Sequence, residues 1–466
     1  MKKQIFSWML VFFSVGFTTH KPAPEKPNFL FIFVDDLVPV LGAYGHKVVK
    51  SPMIDKLSSE SVQFNRAYCN VAVCGASRAS LLTGIRPHFP QRYITFTSRA
   101  DKDYPSATTL PKLLKDQGYY TVSNGKVFHD ADDSEHGWSE KPWRPDRPQF
   151  LNPITQENQN SKTKRGPFFE SADVQDNAYS DGQLAEKSIL DLQRLAGSRQ
   201  PFFMAVGFSK PHLPFNAPKK YYDLYKNVPL ADNPFEPENI PAAAKPSKEI
   251  LSYGYTDHYN TPEFHQQARH GYYACVSYID AQIGKVLAEL KRLDLEKNTV
   301  VVLLGDHGFQ LGQHNYWGKH STLHDAIHAP LILKIPGQKP AKLDQIVEFV
   351  DLYPTFCELM GIQSKHQLHG ESLLPLIAGK ADSWKNSVVS EWLGARALMT
   401  DRYAFAYWFE PKNKGQMMLF DHQKDPEQNK NVAALPEYSS VVKEYRMKLD
   451  KIYKELESSI TPAPTK

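Results

Sequence analysis

The chain has 466 residues, more than one small core organises, so two or three domains are expected. Its hydrophobic share of 41% is that of an ordinary globular protein and excludes both a membrane bundle and a disordered chain. The 55 Lys and Arg nearly balance the 51 Asp and Glu, leaving a net charge of +4. No basic stripe interleaves with aromatic residues, so nucleic acid is not an expected partner.

Residues 1–25 read as an export signal. Lys2 and Lys3 precede an apolar run from Ile5 to Phe17. That run is short against the roughly 20 residues a helix needs to cross a bilayer, so no stable membrane insertion is expected. Phe17-Thr18-Thr19 offers no clear cleavage site, which leaves the boundary open. Export places the mature chain in the periplasm or outside the cell.

Four apolar runs then share one shape. NFLFIFVDD ends on Asp35 and Asp36. YYTVSNGKVFH carries Lys126 and His129. PFFMAVGFSKPH carries Lys210 and His212. NTVVVLLGDHG carries Asp306 and His307. Each run is short, β-branched or aromatic, and apolar on both faces, as in a strand covered by helices on both sides. Helical stretches lie between them, around Ser180–Leu195 and Tyr272–Leu293. Strands alternating with helices predict an α/β fold with a large, mostly parallel sheet between helices. Ligands gather beyond the carboxyl ends of such strands, where all four runs place their polar groups. The proline-rich segment from Trp138 to Gly166 reads as a long surface loop.

The texture changes near Trp384. SVVSEW, RALMTDRYAFAYWF and GQMMLFDH read as short strands, and a helix is expected over Ser439–Leu456. The division is a catalytic domain over 26–380 and an α+β subdomain over 384–466, with an antiparallel sheet.

Asp35, Asp36 and Asp306 on one crevice repel each other unless something positive neutralises them. A hard divalent cation is the simplest answer, and oxygen ligands favour calcium or magnesium. His307, beside Asp306, is an unusual neighbour for such an ion. Arg78, Lys126 and Lys319 fall in or beside the strand-end loops and suit a tetrahedral oxyanion, sulfate or phosphate. His129 and His212 are the candidate proton carriers. Of the four cysteines, Cys275 and Cys357 read as buried small hydrophobes, and Cys69 could pair. Cys74 precedes a helix start, where a reactive thiolate is one reading.

Cys74-Gly75-Ala76-Ser77-Arg78, followed by ASLLTG, resembles the maturation signature of the type I sulfatases of the alkaline phosphatase superfamily. GKVFH, SKPHLPF, GDHGFQLGQHNYWGKH and LFDHQKDPEQNKNVA resemble further stretches of that family. The Asp306-His307 pair and KPHLPF point to its iduronate-2-sulfatase-like branch. The resemblance implies an alkaline-phosphatase-like fold and oxidation of Cys74 to formylglycine by a maturation enzyme. It implies one calcium per subunit, with magnesium possible, on Asp35, Asp36, Asp306, His307 and the modified Cys74. Arg78 would hold the hydrated aldehyde, and Lys126 and Lys319 would clamp the sulfate. His212 would face the leaving oxygen, and His129 would act as base. The implied reaction is exo-acting removal of 2-O-sulfate from a uronic acid of an oligosaccharide. Related enzymes on other algal or host glycans share these loops. A phosphatase or phosphodiesterase of the same superfamily, and a non-catalytic glycan-binding protein on the same scaffold, are the rival readings.

Overall fold

The structure is a computed structural model, and it describes residues 26–89, 92–145, 154–159, 165–233 and 235–458. The expected signal lies outside them. The main sheet has seven strands. They are β1 (Asn28–Val34), β2 (Val62–Tyr68), β3 (Tyr120–Gly125), β4 (Phe202–Phe208), β5 (Thr299–Gly305), β6 (Leu331–Lys334) and β7 (Ala341–Glu348). Their order is β7-β2-β6-β5-β1-β4-β3. Every pairing is parallel except those of β6, which runs antiparallel to β2 and β5. The four apolar runs of the sequence are thus four adjacent parallel strands, β5-β1-β4-β3.

β1 shows why both faces of these strands are apolar. Successive side chains point to opposite faces. Leu30, Ile32 and Val34 join one core with helix α2 (Ser180–Ala196) and helix α3 (Pro262–Arg292). Phe29, Phe31 and Phe33 join a second core with helix α1 (Cys74–Thr83). Side chains on both faces are almost wholly removed from water. Such burial stabilises by roughly 1.5–3 kcal/mol per large apolar side chain.

Helix α3 begins ten residues before the expected Tyr272. Thr261 is its N-cap, accepting from the Phe264 N–H at 3.2 Å, and Pro262 takes the first turn. That start was written in the chain as Thr-Pro-Glu. The segment after Trp138 is not all surface loop. Trp138 is buried and stacks on Phe203 with ring centroids 6.0 Å apart. The Trp143 N–H donates to the Ser123 carbonyl, and the Gly125 N–H donates to the Trp143 carbonyl. This stretch therefore covers the outer edge of β3, which would otherwise expose unpaired backbone groups.

A second sheet, antiparallel, follows: β8 (Val388–Trp392), β9 (Ala395–Met399), β10 (Tyr403–Trp408) and β11 (Met417–Asp421), in that order. The stretch RALMTDRYAFAYWF supplies two of these short strands and folds back on itself between Met399 and Tyr403. Helix α4 (Ser439–Ser458) packs Tyr445, Leu449 and Tyr453 against Leu398, Phe405 and Leu419. Among the described residues, no helix is long and apolar enough to cross a membrane.

Candidate active site

The carboxyl ends of β1 and β5 bring Asp35, Asp36, Asp306 and His307 together, all essentially buried. Asp36 has φ of +60°, a left-handed conformation that Asp tolerates better than most side chains. Hydrogen bonds hold it there. Its N–H donates to Asp306 Oδ1 at 3.1 Å, and its carbonyl accepts from the Tyr272 hydroxyl at 2.6 Å.

Helix α1 aims its first residue into this cluster. Cys74 Sγ lies 3.3 Å from Asp35 Oδ1 and 3.2 Å from His307 Nε2. The Ser77 hydroxyl donates to the Asp306 carbonyl at 2.5 Å, which ties the helix to the β5 end. One turn on from Cys74, Arg78 is completely buried. Its Nε donates to Asp306 Oδ2 at 2.8 Å, and its guanidinium also lies 3.4 Å from Asp35 Oδ1. It donates to the carbonyls of Lys126 and Val127 as well.

The lysines close the cage. Lys126 pairs with Asp35. Lys319 Nζ donates to both Asp36 oxygens, at 2.7 and 2.9 Å. His212 Nε2 is 3.9 Å from Asp36 Oδ2, and its Nδ1 lies 2.7 Å from the Leu213 carbonyl oxygen. His129 stands apart. Its Nδ1 is buried without a hydrogen-bond partner among the described residues, and its ring meets Phe96 at 6.0 Å. Phe96 is 59% exposed, so His129 lies at the rim. Lys210, also at a strand end, turns away and donates to the His212 carbonyl.

The electrostatics say what this cage is built for. Burial raises the Asp35 carboxyl, but neighbouring cations, Lys126 first and then Arg78, carry it well below the usual range. Asp36 goes the other way: burial raises it well above the usual range, Lys319 opposes the rise, and the charges of Asp35, Glu249 and Asp306 add to it. Oxygen donors of Asp35 and Asp306, with Cys74 and His307, lie close enough together for one ion. The two carboxylates suit a hard divalent cation, whereas His307 and the unmodified thiol are softer donors. Burial and Asp35 push the Cys74 thiol well above its usual range, so the thiolate reading does not hold. Burial and Lys319 push His212 well down, and burial and Lys126 take His129 to about 3, so both imidazoles are neutral at pH 7. Lys126 and Lys319 are raised despite burial, by Asp35 and Asp36 respectively, and stay charged. Cys69, Cys275 and Cys357 are buried free thiols, so Cys69 makes no disulfide.

Sequence reasoning missed Glu249. Its carboxylate stands 3.6 Å from His212 Nε2 and 3.4 Å from Lys319 Nζ. It opens a single 3-10 turn, Glu249–Ser252, too short to leave a periodicity in the sequence.

A mostly parallel sheet with a buried carboxylate cage at its strand ends, and a buried cysteine opening a helix beside it, defines a class of hydrolase. The chain belongs to the sulfatase family, whose model matches residues 27–362, and to its iduronate-2-sulfatase-like branch; it is a sulfuric ester hydrolase. A second model, the C-terminal part of N-sulphoglucosamine sulphohydrolase, matches residues 312–455. Human iduronate 2-sulfatase is 36% identical over 386 residues, covering 76% of this chain and 68% of that protein. A delta 4,5-hexuronate-2-O-sulfatase of Bacteroides thetaiotaomicron is 28% identical, over 92% of this chain and 89% of that one. The fold is shared with the phosphonate monoester hydrolase of Agrobacterium radiobacter, at a TM-score of 0.76 and 21% identity, over 92% of this chain and 96% of that one.

Proposed function

We propose that the chain removes sulfate from a carbohydrate, acting from an oligosaccharide end on a 2-O-sulfated uronic acid of the iduronate type. The relatives named iduronate 2-sulfatase and hexuronate-2-O-sulfatase support the choice of sugar and carbon. The basic and then apolar N-terminus supports export to the periplasm or beyond.

Cys74, oxidised to formylglycine by a maturation enzyme, would supply a hydrated aldehyde as nucleophile toward sulfur. Asp35, Asp36, Asp306 and His307 would hold calcium, or magnesium, which neutralises charge on the sulfate oxygens. Arg78, pinned between Asp306 and two carbonyls, orients the group at position 74. Lys126 and Lys319 bind sulfate oxygens as point charges. A sugar alkoxide is a poor leaving group and needs a proton. Lys319 stays protonated and carries it, and His212 faces the leaving oxygen. His129, neutral at pH 7, is free to accept a proton at the rim.

One observation carries the reading. The thiol of Cys74 opens a helix 3.3 Å from Asp35 and 3.2 Å from His307, inside a cage whose cations are Arg78, Lys126 and Lys319. The test is a screen of defined sulfated di- and oligosaccharides alongside phosphate esters of the same sugars. Release of sulfate from a terminal 2-O-sulfated uronate is expected. Release from 6-O-sulfated hexosamine, with none from a uronate, refutes the substrate. Phosphate release with two bound zinc ions favours the phosphatase reading.

A further inference from the structure

A carboxylate inside an anion-binding site repels its own substrate. Glu249 is such a carboxylate. Its loop is nevertheless built tightly against the site. Ile250, the next residue, is fully buried and anchors the turn. The Ser247 N–H donates to the Lys319 carbonyl at 3.3 Å, and the Ser247 hydroxyl meets His320 Nδ1 at 2.5 Å. A Cβ on Gly318 would stand 2.4 Å from the Ser247 carbonyl oxygen, so only glycine lets the two segments run this close.

That packing delivers Glu249 to two groups. Oε2 is 3.4 Å from Lys319 Nζ, and Oε1 is 3.6 Å from His212 Nε2. Oε2 is buried and accepts no hydrogen bond among the described residues, so its lone pairs stay available to an ammonium that shifts toward it. Lys319 divides its charge between Asp36 and Glu249. When Asp36 serves a cation, Glu249 is the carboxylate left to hold the ammonium.

We propose that Glu249 is a positioning residue that fixes Lys319 at the departing sugar oxygen, beside His212, and so gives the enzyme its capacity for poor leaving groups. This rests on the sulfatase reading above. Lys319 and His212 matter in proportion to the basicity of the leaving oxygen. A nitrophenolate departs without a proton, and a sugar alkoxide does not. Removing Glu249 therefore separates the two substrates, whereas general damage to the fold lowers both.

The test compares wild type with Glu249→Gln and Glu249→Asp on 4-nitrophenyl sulfate and on a sulfated disaccharide. For Glu249→Gln, kcat on the sugar ester should fall about 10–100-fold with KM little changed, and kcat on the aryl ester by less than about threefold. Glu249→Asp, which keeps the charge, should recover part of the loss. Inorganic sulfate, titrated calorimetrically, should bind Glu249→Gln at least as tightly as wild type, because a repelling charge has gone. Equal losses on both esters, no loss on either, or weaker sulfate binding overturns the proposal. Failure of the sulfatase reading shows separately, as a wild type that releases sulfate from neither ester, and the proposal falls with it.

Discussion

Cys74 is held where its own chemistry is least available. Burial and the Asp35 carboxylate keep the thiol protonated, and a protonated thiol is a poor nucleophile. We propose that a thiol so placed is a precursor of the working group. Protein made alongside the maturation enzyme should show, in the peptide containing position 74, the mass change of –CH2SH to –CHO. An unmodified thiol in all of that protein would contradict this. Cys74→Ala should abolish turnover and cost only about 1 kcal/mol of stability, since one sulfur leaves the core. At this scale the sequence was most legible where strands end. Asp35, Asp36, Asp306 and His307 each follow an apolar run directly, so the strand fixes where they point. Arg78 was legible through its spacing from Cys74. Glu249 was not, because its position depends on Ser247 meeting Lys319, 72 residues away in the chain, and no local pattern records such a meeting.

Helix α1 shows how an element serves the site. All ten of its residues are buried, so it has no solvent face and no amphipathic period to read. Its first turn also touches the rim. A Cβ on Gly75 would lie 2.0 Å from the Phe96 carbonyl oxygen, which is backbone and cannot swing away. Gly75→Ala should therefore displace the segment around Phe96, lowering stability by about 1–3 kcal/mol. Chemical denaturation checks the stability, and quenching at Phe96→Trp checks the rim. A variant as stable as wild type with unchanged quenching would show that the segment yields freely. The strands β5-β1-β4-β3 were legible as a group because burial on both faces leaves a continuous apolar run. The start of α3 was missed through attention to its apolar centre, and the pairing of Trp143 with β3 was missed because an irregular edge carries no alternation.

The two sheets meet through a buried polar contact, the Val389 N–H of β8 donating to Glu348 Oε1 of β7 at 3.0 Å. Glu391 of β8 accepts from the Phe89 N–H at 2.6 Å, and burial pushes its carboxyl up to about 7. The fold thus favours the neutral acid. That contribution is complete below the unfolded value near 4.5 and is lost as pH rises through about 7. Wild type should lose stability relative to Glu391→Gln between those values, by at most about 1.4 kcal/mol per pH unit. Parallel stability curves would show that Glu391 does not titrate there. Calcium should raise the melting temperature of the whole chain, equivalent to about 2.7 kcal/mol at a hundredfold excess over Kd. Asp306→Asn should lose that shift and also strip Arg78 of its closest carboxylate, so it should melt lower even without calcium. An Asp306→Asn variant that keeps the full calcium shift would remove Asp306 from the ion's ligands. The account as a whole stands on hydrolysis of a sulfate ester at position 74, and it is tested most directly by sulfate release from a terminal 2-O-sulfated uronate disaccharide. Wild type should release one sulfate per disaccharide, with repeated turnover, and Cys74→Ala none. Equal release by both proteins would contradict it.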